Sequence, residues 1–415
     1  MQLKPERMTN IGAVSTLPSG KKVFIRGALP DEEVEIETIE EHSRYNIAVA
    51  SKILKRSPYR TEPKDDRYLA TSPWQIMDFK YELELKSALL KEAFFLAGIE
   101  IDDVIIKSAG SQYFYRNKYN YLFTKNYNFA VIARKSNLRI KADTFSLPKK
   151  SINDTAVQIL DVLRRSDIPP QDLDSLLVRT NDAGQTVSRL YITSKRIVQS
   201  QFKELNNFEI CCLAQSNKKQ HRHSQLLVNG TLELKDMLLG REFSYSIDSF
   251  FQINKDIYEH ALSDMKIAVL GDVVDMYSGV GTIGLSVVPS RKKLKLIEID
   301  AKNVKYAMKN ARKYNMCVHD TCASTIASDA SKALKYIVRD GTLILDPPRA
   351  GLSRTLVNQI LEQLPDRILY LSCNPPTQAR DVALLQEQYK ILDIIGYNFF
   401  PKTPHIECLV ILDRK

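Results

Sequence analysis

The chain has 415 residues, and its 59 lysines and arginines against 49 aspartates and glutamates give a formal net charge of +10. This length predicts two to four domains, each able to bury its own core, and 44% hydrophobic with 26% charged residues argues against a disordered chain. The longest apolar runs are far shorter than the ~18 residues a membrane helix needs. The first residues lack a secretory signal pattern. We therefore expect neither a membrane nor a secreted protein.

The charge and the cysteines narrow the class further. A basic excess favours a polyanionic partner, with nucleic acid first, although the same excess also keeps a protein soluble. Six cysteines stand at positions 211, 212, 317, 322, 373 and 408, with no C-x-x-C pair. Their number and spacing fit neither a disulfide framework nor a zinc ribbon. We expect a cytoplasmic protein.

Residues 1–58 have the pattern of a small β unit. Hydrophobic and polar residues alternate over 22–26 and 34–37, short apolar runs follow at 47–50 and 53–54, and proline and glycine turns separate the first runs. Four or five short strands predict a small barrel, a fold that often presents a nucleic-acid-binding face. A purely structural cap is the alternative.

Residues 59–238 are more mixed. A helical pattern at 81–97 ends at Gly98, a plausible C-cap. The segment 112–125 interleaves Arg116, Lys118 and Lys125 with aromatic rings. Basic side chains hold phosphates and rings stack on bases, which suggests RNA binding. We expect at least half of those rings to face a core instead.

From residue 239 onward, strand and helix patterns alternate. The predicted strands are 273–277, 294–299, 342–345 and 368–371, and the predicted helices are 302–314, 331–339, 354–364 and 377–389. This alternation is typical of a doubly wound parallel sheet.

A glycine loop follows the first of these strands. Gly279, Gly281 and Gly284 fit the G-x-G-x-x-G spacing, and Glu298 ends the next strand, where a carboxylate can accept hydrogen bonds from ribose hydroxyls. The spacing alone does not separate a nicotinamide enzyme from an S-adenosylmethionine enzyme. A tight turn without a ligand is also open.

The later strands end in reactive residues. Asp346 opens D-P-P-R-A-G, and Cys373 lies in S-C-N-P-P. A thiolate that adds to C6 of a pyrimidine makes C5 nucleophilic enough to take an activated methyl group. The C5 proton must then be removed, and Glu407, just before the last strand, is a candidate base. Alternatively, Cys373 is an inert buried thiol and Glu407 a surface carboxylate.

Together these motifs resemble a known family. S-F-F-Q-I-N at 249–254, D-M-Y-S-G-V-G-T at 275–282, D-P-P-R-A-G at 346–351, S-C-N-P at 372–375 and F-P-K-T-P-H-I-E at 400–407 occur in this order. They resemble S-adenosylmethionine-dependent RNA 5-methyluridine methyltransferases, which modify uridines in 23S rRNA and in the tRNA T-loop. The N-terminus, with G-A-L-P-D-E-E-V at 27–34, is similar to a TRAM domain.

The resemblance implies roles for individual residues. Cys373 is implied as the nucleophile and Glu407 as the proton acceptor. From its position alone, Arg349 is a candidate to steer phosphate or the uracil carbonyl. The implied contacts of S-adenosylmethionine are Gln252, Tyr277, Gly279, Thr282, Glu298, Asp329 and Asp346.

One departure from the family concerns metal. Many TRAM-bearing members hold an iron–sulfur cluster on cysteines that follow an S-P-x-R motif. Here Ser57-Pro58-Tyr59-Arg60 is present, but 62–75 contains no cysteine. We therefore expect no iron–sulfur cluster and no other metal.

The implied architecture has three parts. A TRAM/OB-like β-barrel is expected over 1–58, a central α+β RNA-binding domain over 59–238, and an α/β class I methyltransferase (Rossmann-like) domain over 239–415. The expected substrate is RNA, with 23S rRNA first and the tRNA T-loop second. We expect a monomer with no obligate protein partner and no membrane association.

Three other functions stay open. An RNA 5-methylcytidine methyltransferase usually has a Pro-Cys pair on the strand that here ends in Asp346-Pro347-Pro348, and this chain has none there. A catalytically silent RNA-binding protein would not need Cys373 and Glu407. A nicotinamide oxidoreductase would leave the motifs around both residues without a purpose.

Overall fold

Four β-sheets and a set of helices make up the part of the chain that the structure describes. The computed structural model describes residues 1–102, 104–133, 138–194, 199–213, 223–289, 292–314, 323–327 and 334–415. The sheets have six, seven, two and eight strands. The helices are α1 Tyr68–Thr71, α2 Phe79–Phe95, α3 Lys150–Arg164, α4 Lys255–Ala268, α5 Thr282–Val287, α6 Ala301–Lys313, α7 Arg354–Gln363 and α8 Pro375–Leu385. Among these residues, no helix is both long and apolar enough to cross a membrane.

The N-terminal residues form the β unit predicted from alternation, with six strands rather than four or five. Its strands are β1 Gln2–Leu3, β2 Arg7–Met8, β3 Ala13–Thr16, β4 Lys22–Arg26, β5 Glu33–Glu41 and β6 Tyr45–Lys55, in the order β1-β5-β6-β4-β3-β2. Val23 and Ile25 are buried while Lys22 faces solvent. The stretches 47–50 and 53–54 form one strand rather than two, because three register shifts let β6 stay paired with β5.

A buried ion pair ties this sheet to the segment that follows it. The Glu32 carboxylate accepts hydrogen bonds from the backbone N–H groups of Leu29 and Ser57, at 2.8 and 3.1 Å. The Arg60 guanidinium lies 2.5 Å from the same carboxylate. Since Glu32 is fully buried, the Arg60 side chain is 9% exposed and the two are hydrogen-bonded, they fix where the chain leaves the sheet. The S-P-Y-R motif is therefore structural in this chain.

The central sheet lies behind α3. Its strands are β8 Lys118–Phe123, β9 Phe129–Ile132, β10 Arg139–Lys141, β11 Leu173–Thr180, β12 Thr186–Ile192, β13 Phe208–Leu213 and β14 His223–Asn229, in the order β10-β9-β8-β11-β12-β13-β14. The apolar face of α3, including Ile152 and Leu163, packs on this sheet. Tyr115, Tyr121 and Phe123 are buried, which confirms that at least half of the rings at 112–125 serve the core.

A hairpin leads into the C-terminal sheet. Strands β15 Glu233–Leu238 and β16 Arg241–Ser246 pair antiparallel. Leu239 and Gly240, which join them, both have positive φ angles, of 46° and 77°. Two such residues match the right-handed twist of the flanking strands. The hairpin therefore spans the expected boundary between the central domain, 59–238, and the C-terminal domain, 239–415.

The C-terminal sheet has the predicted parallel core. Its strands are β7 Ile106–Lys107, β17 Asp272–Met276, β18 Leu294–Glu298, β19 Ala323–Ala327, β20 Gly341–Leu345, β21 Arg367–Ser372, β22 Tyr389–Tyr397 and β23 Glu407–Arg414, in the order β19-β18-β17-β20-β21-β23-β22-β7. β17–β21 pair parallel, and β23 runs antiparallel between β21 and β22. Apolar side chains alternate between two cores: Val273 and Ile344 face one side, Val274 and Leu343 the other.

Two predicted helices differ from the observed elements. The pattern at 377–389 ends earlier, at Leu385, and Tyr389 begins β22. Of 331–339, residues 331–333 lie outside the described part of the chain, and Leu334–Tyr336 form a single 3-10 turn. α2 and β7, which fall within the proposed central domain, pack against the C-terminal sheet through Leu90 and Ile106. The three domain limits stay a proposal.

Candidate active site

The carboxyl edge of the C-terminal sheet brings four of the predicted site residues to one level. Met276 pairs with Leu345, and Leu345 with Tyr370. Tyr277 and Asp346 come directly after paired residues, and Cys373 follows the end of β21. Glu298 ends the neighbouring strand β18. Ligands in open α/β sheets bind at this edge, so the arrangement fits a binding and reaction site.

The glycine loop after β17 is tightly curled. Tyr277, Gly279 and Gly281 have φ angles of 66°, 57° and 88°. A Cβ on Gly281 would lie 2.8 Å from the Leu285 side chain, whereas the space beside Gly279 is open. A ligand can therefore approach the backbone closely at Gly279.

Two carboxylates hold this loop through backbone N–H groups. Glu298 accepts hydrogen bonds from Gly279 and Asp300, each at 2.8 Å. Asp275 accepts one from Gly284 at 2.8 Å with Oδ2, while its buried Oδ1 has no hydrogen-bond partner among the described residues. Burial raises the pKa of Asp275 to about 8. The loop thus combines an open backbone, an acidic strand end and an orphaned buried oxygen, which fits a nucleoside-containing cofactor.

Two further cofactor candidates lie beside this loop. The Thr282 hydroxyl is 2.9 Å from the hydroxyl of Tyr258, a buried residue of α4. Gln252 is buried, and its carbonyl oxygen accepts a hydrogen bond from the Asn117 side chain at 2.9 Å. Asp329, the remaining candidate, lies outside the described residues.

Arg179 supports the segment that carries Gln252, and sequence reasoning did not find it. Its guanidinium is fully buried and donates to the carbonyl oxygens of Ser249 and Phe251, at 2.6 and 3.2 Å. It also lies 4.4 Å from the centre of the Tyr245 ring. Its role depends on burial, which is not visible in the sequence, so no sequence signal marks Arg179.

Cys373 and Glu407 meet at the other end of the same edge. Ser372 on β21 faces Cys408 on β23, so the next residues along the pair are Cys373 and Glu407. Cys373 is half-buried and Glu407 is buried. The structure therefore brings the predicted nucleophile and the predicted base together on neighbouring strands.

The charged groups around Cys373 and Glu407 shift one another's pKa values. Burial raises the pKa of the Cys373 thiol to about 11 and the Glu407 charge adds to the rise, whereas the Arg349 guanidinium lowers it. Burial and the Asp346 charge raise the pKa of Glu407 well above its usual range, and Arg349 again opposes them. Burial alone raises the pKa of Asp346 to about 7. Arg349 is thus the cation that favours the charged forms of Cys373 and Glu407.

Backbone contacts hold Arg349 in this position. Its carbonyl oxygen accepts hydrogen bonds from the side chains of Asn374 and Thr377, at 2.7 and 3.1 Å. Its guanidinium lies 3.3 Å from Nδ1 of His405. Burial, followed by the Arg349 charge, lowers the pKa of His405 to about 4. His405 is therefore neutral near pH 7, with Nδ1 free to accept from Arg349.

A cavity of about 310 Å³ opens at Cys373. Asn374, Pro404 and His405 line it from the C-terminal sheet, and Arg7, Thr9–Ile11 and Phe24 line it from the N-terminal sheet. The N-terminal sheet therefore forms one wall of the space in front of the thiol, a contact that the sequence did not reveal. Among the described residues, no group of three or more His, Cys, Asp or Glu side chains could hold a metal ion.

Comparisons with a family model and with related sequences both identify RNA methyltransferases as similar to this chain. The family model for tRNA (uracil-5-)-methyltransferase matches residues 78–415. An uncharacterized RNA methyltransferase from Fusobacterium nucleatum is 28% identical, over 100% of this chain and 96% of its own length. One from Streptococcus agalactiae is 26% identical, over 94% of this chain and 93% of its own length.

A solved structure has the same fold along nearly the whole chain. The Pyrococcus abyssi tRNA (uracil-54, C5)-methyltransferase, determined in complex with S-adenosyl-L-homocysteine, superposes with a TM-score of 0.78. It is 22% identical, and the match covers 99% of this chain and 100% of that one. The chain therefore belongs to the tRNA (uracil-5-)-methyltransferase family and is an RNA (uracil-C5) methyltransferase, an enzyme class whose methyl donor is S-adenosylmethionine.

Proposed function

We propose that this chain methylates C5 of a specific uridine in RNA by covalent catalysis, with Cys373 as the nucleophile and Glu407 as the base that removes the C5 proton. The observation that carries the proposal is that Cys373 directly follows β21, opposite Glu407 at the start of β23, with the Glu407 charge acting on the thiol. A thiol that opens onto a cavity and a buried carboxylate opposite it, at the same sheet edge as a cofactor-type loop, are the two groups that this reaction needs.

The residues around the glycine loop suit S-adenosylmethionine. We assign its contacts to Gln252, Tyr277, Gly279, Thr282, Glu298 and Asp346, and Asp329 stays a candidate from the sequence alone. When bound, S-adenosylmethionine supplies an electrophilic methyl group and a positive charge. The open side of Gly279 and the lone pairs that Glu298 retains after its two backbone bonds are suited to the nucleoside part.

The proposed cycle begins with the uridine base turned out of its loop, which costs little where RNA bases are already partly unstacked. The Cys373 thiolate forms a bond from Sγ to C6, and the C5–C6 electron pair moves toward the carbonyl oxygen at C4. The electron pair would return from the oxygen at C4 so that C5 bonds to the methyl group of the bound donor, whose methyl–sulfur bond would break with both electrons kept by sulfur, giving S-adenosylhomocysteine. Glu407 accepts the C5 proton, the C5–C6 double bond re-forms, and the C6–Sγ bond breaks to release the thiolate.

Arg349 prepares both side chains for these steps. A thiol with a raised pKa is mostly protonated at neutral pH, so a cation that lowers its pKa increases the reactive fraction. The same cation favours the ionised form of Glu407, which must be a carboxylate to accept a proton. We therefore assign Arg349 to activation of the nucleophile and the base.

Two RNAs are candidates for the substrate. We propose 23S rRNA first, because the N-terminal sheet is similar to a TRAM domain. The tRNA T-loop is the second candidate, because a protein named for uracil 54 of tRNA has this fold over 99% of the chain. Since that match includes the N-terminal sheet, the sequence resemblance at residues 27–34, rather than the fold of the sheet, is the reason to rank 23S rRNA first. Mapping 5-methyluridine in rRNA and tRNA from cells with and without the gene decides between them.

The covalent step is tested by trapping. With Glu407→Gln, the adduct forms but the C5 proton stays, so an RNA–protein complex resistant to denaturation should accumulate, with turnover reduced by about 10²–10⁴-fold. Cys373→Ala should give neither complex nor product, a loss of more than about 10⁴-fold. Glu362→Gln, an exposed carboxylate on α7, is the matched control and should behave like the parent. Full activity in Cys373→Ala would refute the nucleophile.

A further inference from the structure

A second cavity lies beside the one at Cys373 and contains two arginines. It has a volume of about 240 Å³ and lies between the N-terminal sheet and the segment before β23. Arg26 and Gly27 line it from the N-terminal sheet, Trp74 from the segment before α2, Arg116 from the segment before β8, and Thr403 and His405 from the C-terminal part. Four parts of the chain thus converge on a space that the proposed reaction does not use.

Two arginines and, among the described residues, no carboxylate line the cavity, and Arg116 also hydrogen-bonds to the Tyr115 side chain. The Nε atoms of Arg26 and Arg116 are buried and have no hydrogen-bond partner among the described residues. Within the described part of the chain, neither side chain takes part in an ion pair, and no carboxylate is among the residues that line the cavity. Buried charged donors without an acceptor are unfavourable. An anion between the two guanidinium groups would satisfy them.

The position of the cavity indicates which anion. It shares Asn10, Ile11, Pro404 and His405 with the cavity at Cys373. The cavity with the two arginines is therefore adjacent to the place where the target base is expected. A nucleotide whose base reaches Cys373 carries its phosphates on the neighbouring backbone, and arginine pairs with phosphate through its fork of N–H donors.

We infer that the Arg26–Arg116 cavity binds a phosphodiester of the RNA strand next to the target uridine. This inference rests on the proposed entry of that uridine at Cys373. It gives the N-terminal sheet a direct part in substrate binding: Arg26 on β4 and Arg116 before β8 hold the same phosphate and thereby set how far the target nucleotide enters. The shared chemistry is that of a phosphate oxygen, whether in RNA or in free phosphate.

The test measures RNA binding over a range of salt concentrations. Two unmodified transcripts are used, a complete tRNA and a 23S rRNA fragment, with the parent protein, Arg26→Gln, Arg116→Gln and the double variant. Each lost phosphate contact should reduce the slope of log K against log salt by about 0.7–1. We expect each single variant to weaken binding about tenfold at fixed salt. Arg44→Gln, an exposed arginine between β5 and β6, removes the same charge and should change the slope by less than half as much.

Conservative variants and a competition with inorganic phosphate separate the possible explanations. Arg26→Lys and Arg116→Lys retain the charge and should keep most of the slope, which excludes simple misfolding as the cause. Inorganic phosphate should compete with RNA in the parent and in Arg44→Gln, and not in the double variant. If the glutamine variants show the same slope as Arg44→Gln, the inference is wrong, and phosphate competition alone would mean a site for free anion rather than RNA.

The result is independent of the chemistry at Cys373. Cys373→Ala should give the same salt slopes as the parent, because the phosphate contact needs no covalent bond. If Cys373→Ala keeps full methyl transfer, Cys373 is not the nucleophile. The salt slopes of the arginine variants still test whether the cavity binds a phosphate of the RNA. If the arginine variants bind RNA normally and Cys373→Ala is inactive, the cavity assignment alone fails.

Discussion

At one end of the carboxyl edge, the glycine loop is held by bonds between residues close in sequence. Glu298 binds the N–H of Gly279 across 19 positions, and Asp275 binds that of Gly284 across nine. At the other end, the segment that leads to Glu407 is held by helix α2. Lys86 donates to Asn398 at 2.6 Å and to the carbonyl oxygen of Phe400 at 3.1 Å, across more than 300 positions.

The anchor at the reactive end is a buried group of charges. Lys86 and Glu82 are fully buried and 3.0 Å apart. Glu82 also accepts a hydrogen bond from the Asn398 side chain and two from the Lys402 backbone N–H, at 3.0–3.1 Å. The Lys402 backbone itself is left-handed, with φ of 63°. Helix α2 therefore imposes a turn that the segment would not adopt by local preference.

This difference means that a substitution can disrupt the glycine-loop end of the edge without disrupting the Glu407 end, and the reverse. The glycine loop and its carboxylates form a local unit, whereas the position of Glu407 depends on a helix from a distant part of the sequence. We expect substitutions in α2 to act on stability and methyl transfer, and substitutions at Glu298 to act on cofactor affinity.

The largest effect is expected for Lys86→Met. This change leaves Glu82 buried with Lys402 Nζ, 3.6 Å away, as its remaining cation. Breaking a buried pair costs about 3–5 kcal/mol, and the remaining cation places the expected loss in free energy of unfolding near the lower end. Urea unfolding measures it. Lys80→Met on the same helix removes an exposed lysine 4.0 Å from Glu84 and should cost less than about 0.5 kcal/mol.

The two ends are independent if Lys86→Met keeps its affinity for S-adenosylhomocysteine while methyl transfer falls. An equal loss of cofactor affinity would contradict this separation. A free energy of unfolding like that of Lys80→Met would mean that the buried network does not anchor the segment.

A smaller effect is expected at the local end, with Glu298→Gln. The amide can accept one of the two backbone N–H bonds but presents N–H₂ to the other, so the loop loses a charge-assisted bond. A loss of about 1.5–3 kcal/mol corresponds to roughly 10–100-fold weaker binding of S-adenosylhomocysteine, measured by calorimetry. Glu362→Gln is the control. RNA affinity should not change, and a parent-like cofactor affinity would remove Glu298 from the binding site.

The same contrast explains what the sequence could predict. The parallel strands and the placement of the glycine loop, Asp346 and Cys373 at one edge follow from alternation and from the rule that parallel strand ends share an edge. Glu407 reaches that edge at the start of β23, because β23 runs antiparallel to β21. The contacts of Arg179, the binding of the Glu82–Lys86 pair to residues 398–402 and the wall formed by Arg7 and Phe24 could not be predicted, because each joins parts of the chain far apart in sequence. Nothing in the local pattern marks which charged residues become buried.

The ends of individual helices and strands show the same limit of prediction from sequence. The helix pattern at 377–389 ends early because Tyr389 is fully buried in β22, where tertiary packing overrides helical periodicity. The stretch 47–50 and 53–54 is one strand because bulges absorb the mismatch with β5. Both outcomes depend on partners that a sequence window does not contain.

The smallest expected effect concerns the end of the edge that carries Cys373. It is measured as the rate at which iodoacetamide alkylates the Cys373 thiol. Only the thiolate reacts, and the pKa of this thiol is raised to about 11 in the protein without ligands. The alkylation rate should therefore rise about tenfold per pH unit from pH 7 and level off near pH 11. Mass spectrometry of the peptide containing Cys373 follows it.

Arg349→Gln removes the cation that lowers this pKa, so alkylation at pH 8 should slow by several-fold, toward the tenfold that corresponds to one pKa unit. Arg354→Gln removes an exposed arginine at the start of α7 and should leave the rate within about twofold, since exposed charges are screened by solvent. Equal rates in the two variants would show that Arg349 does not act on the thiol, and the activation of Cys373 would then have to come from the bound methyl donor or from RNA.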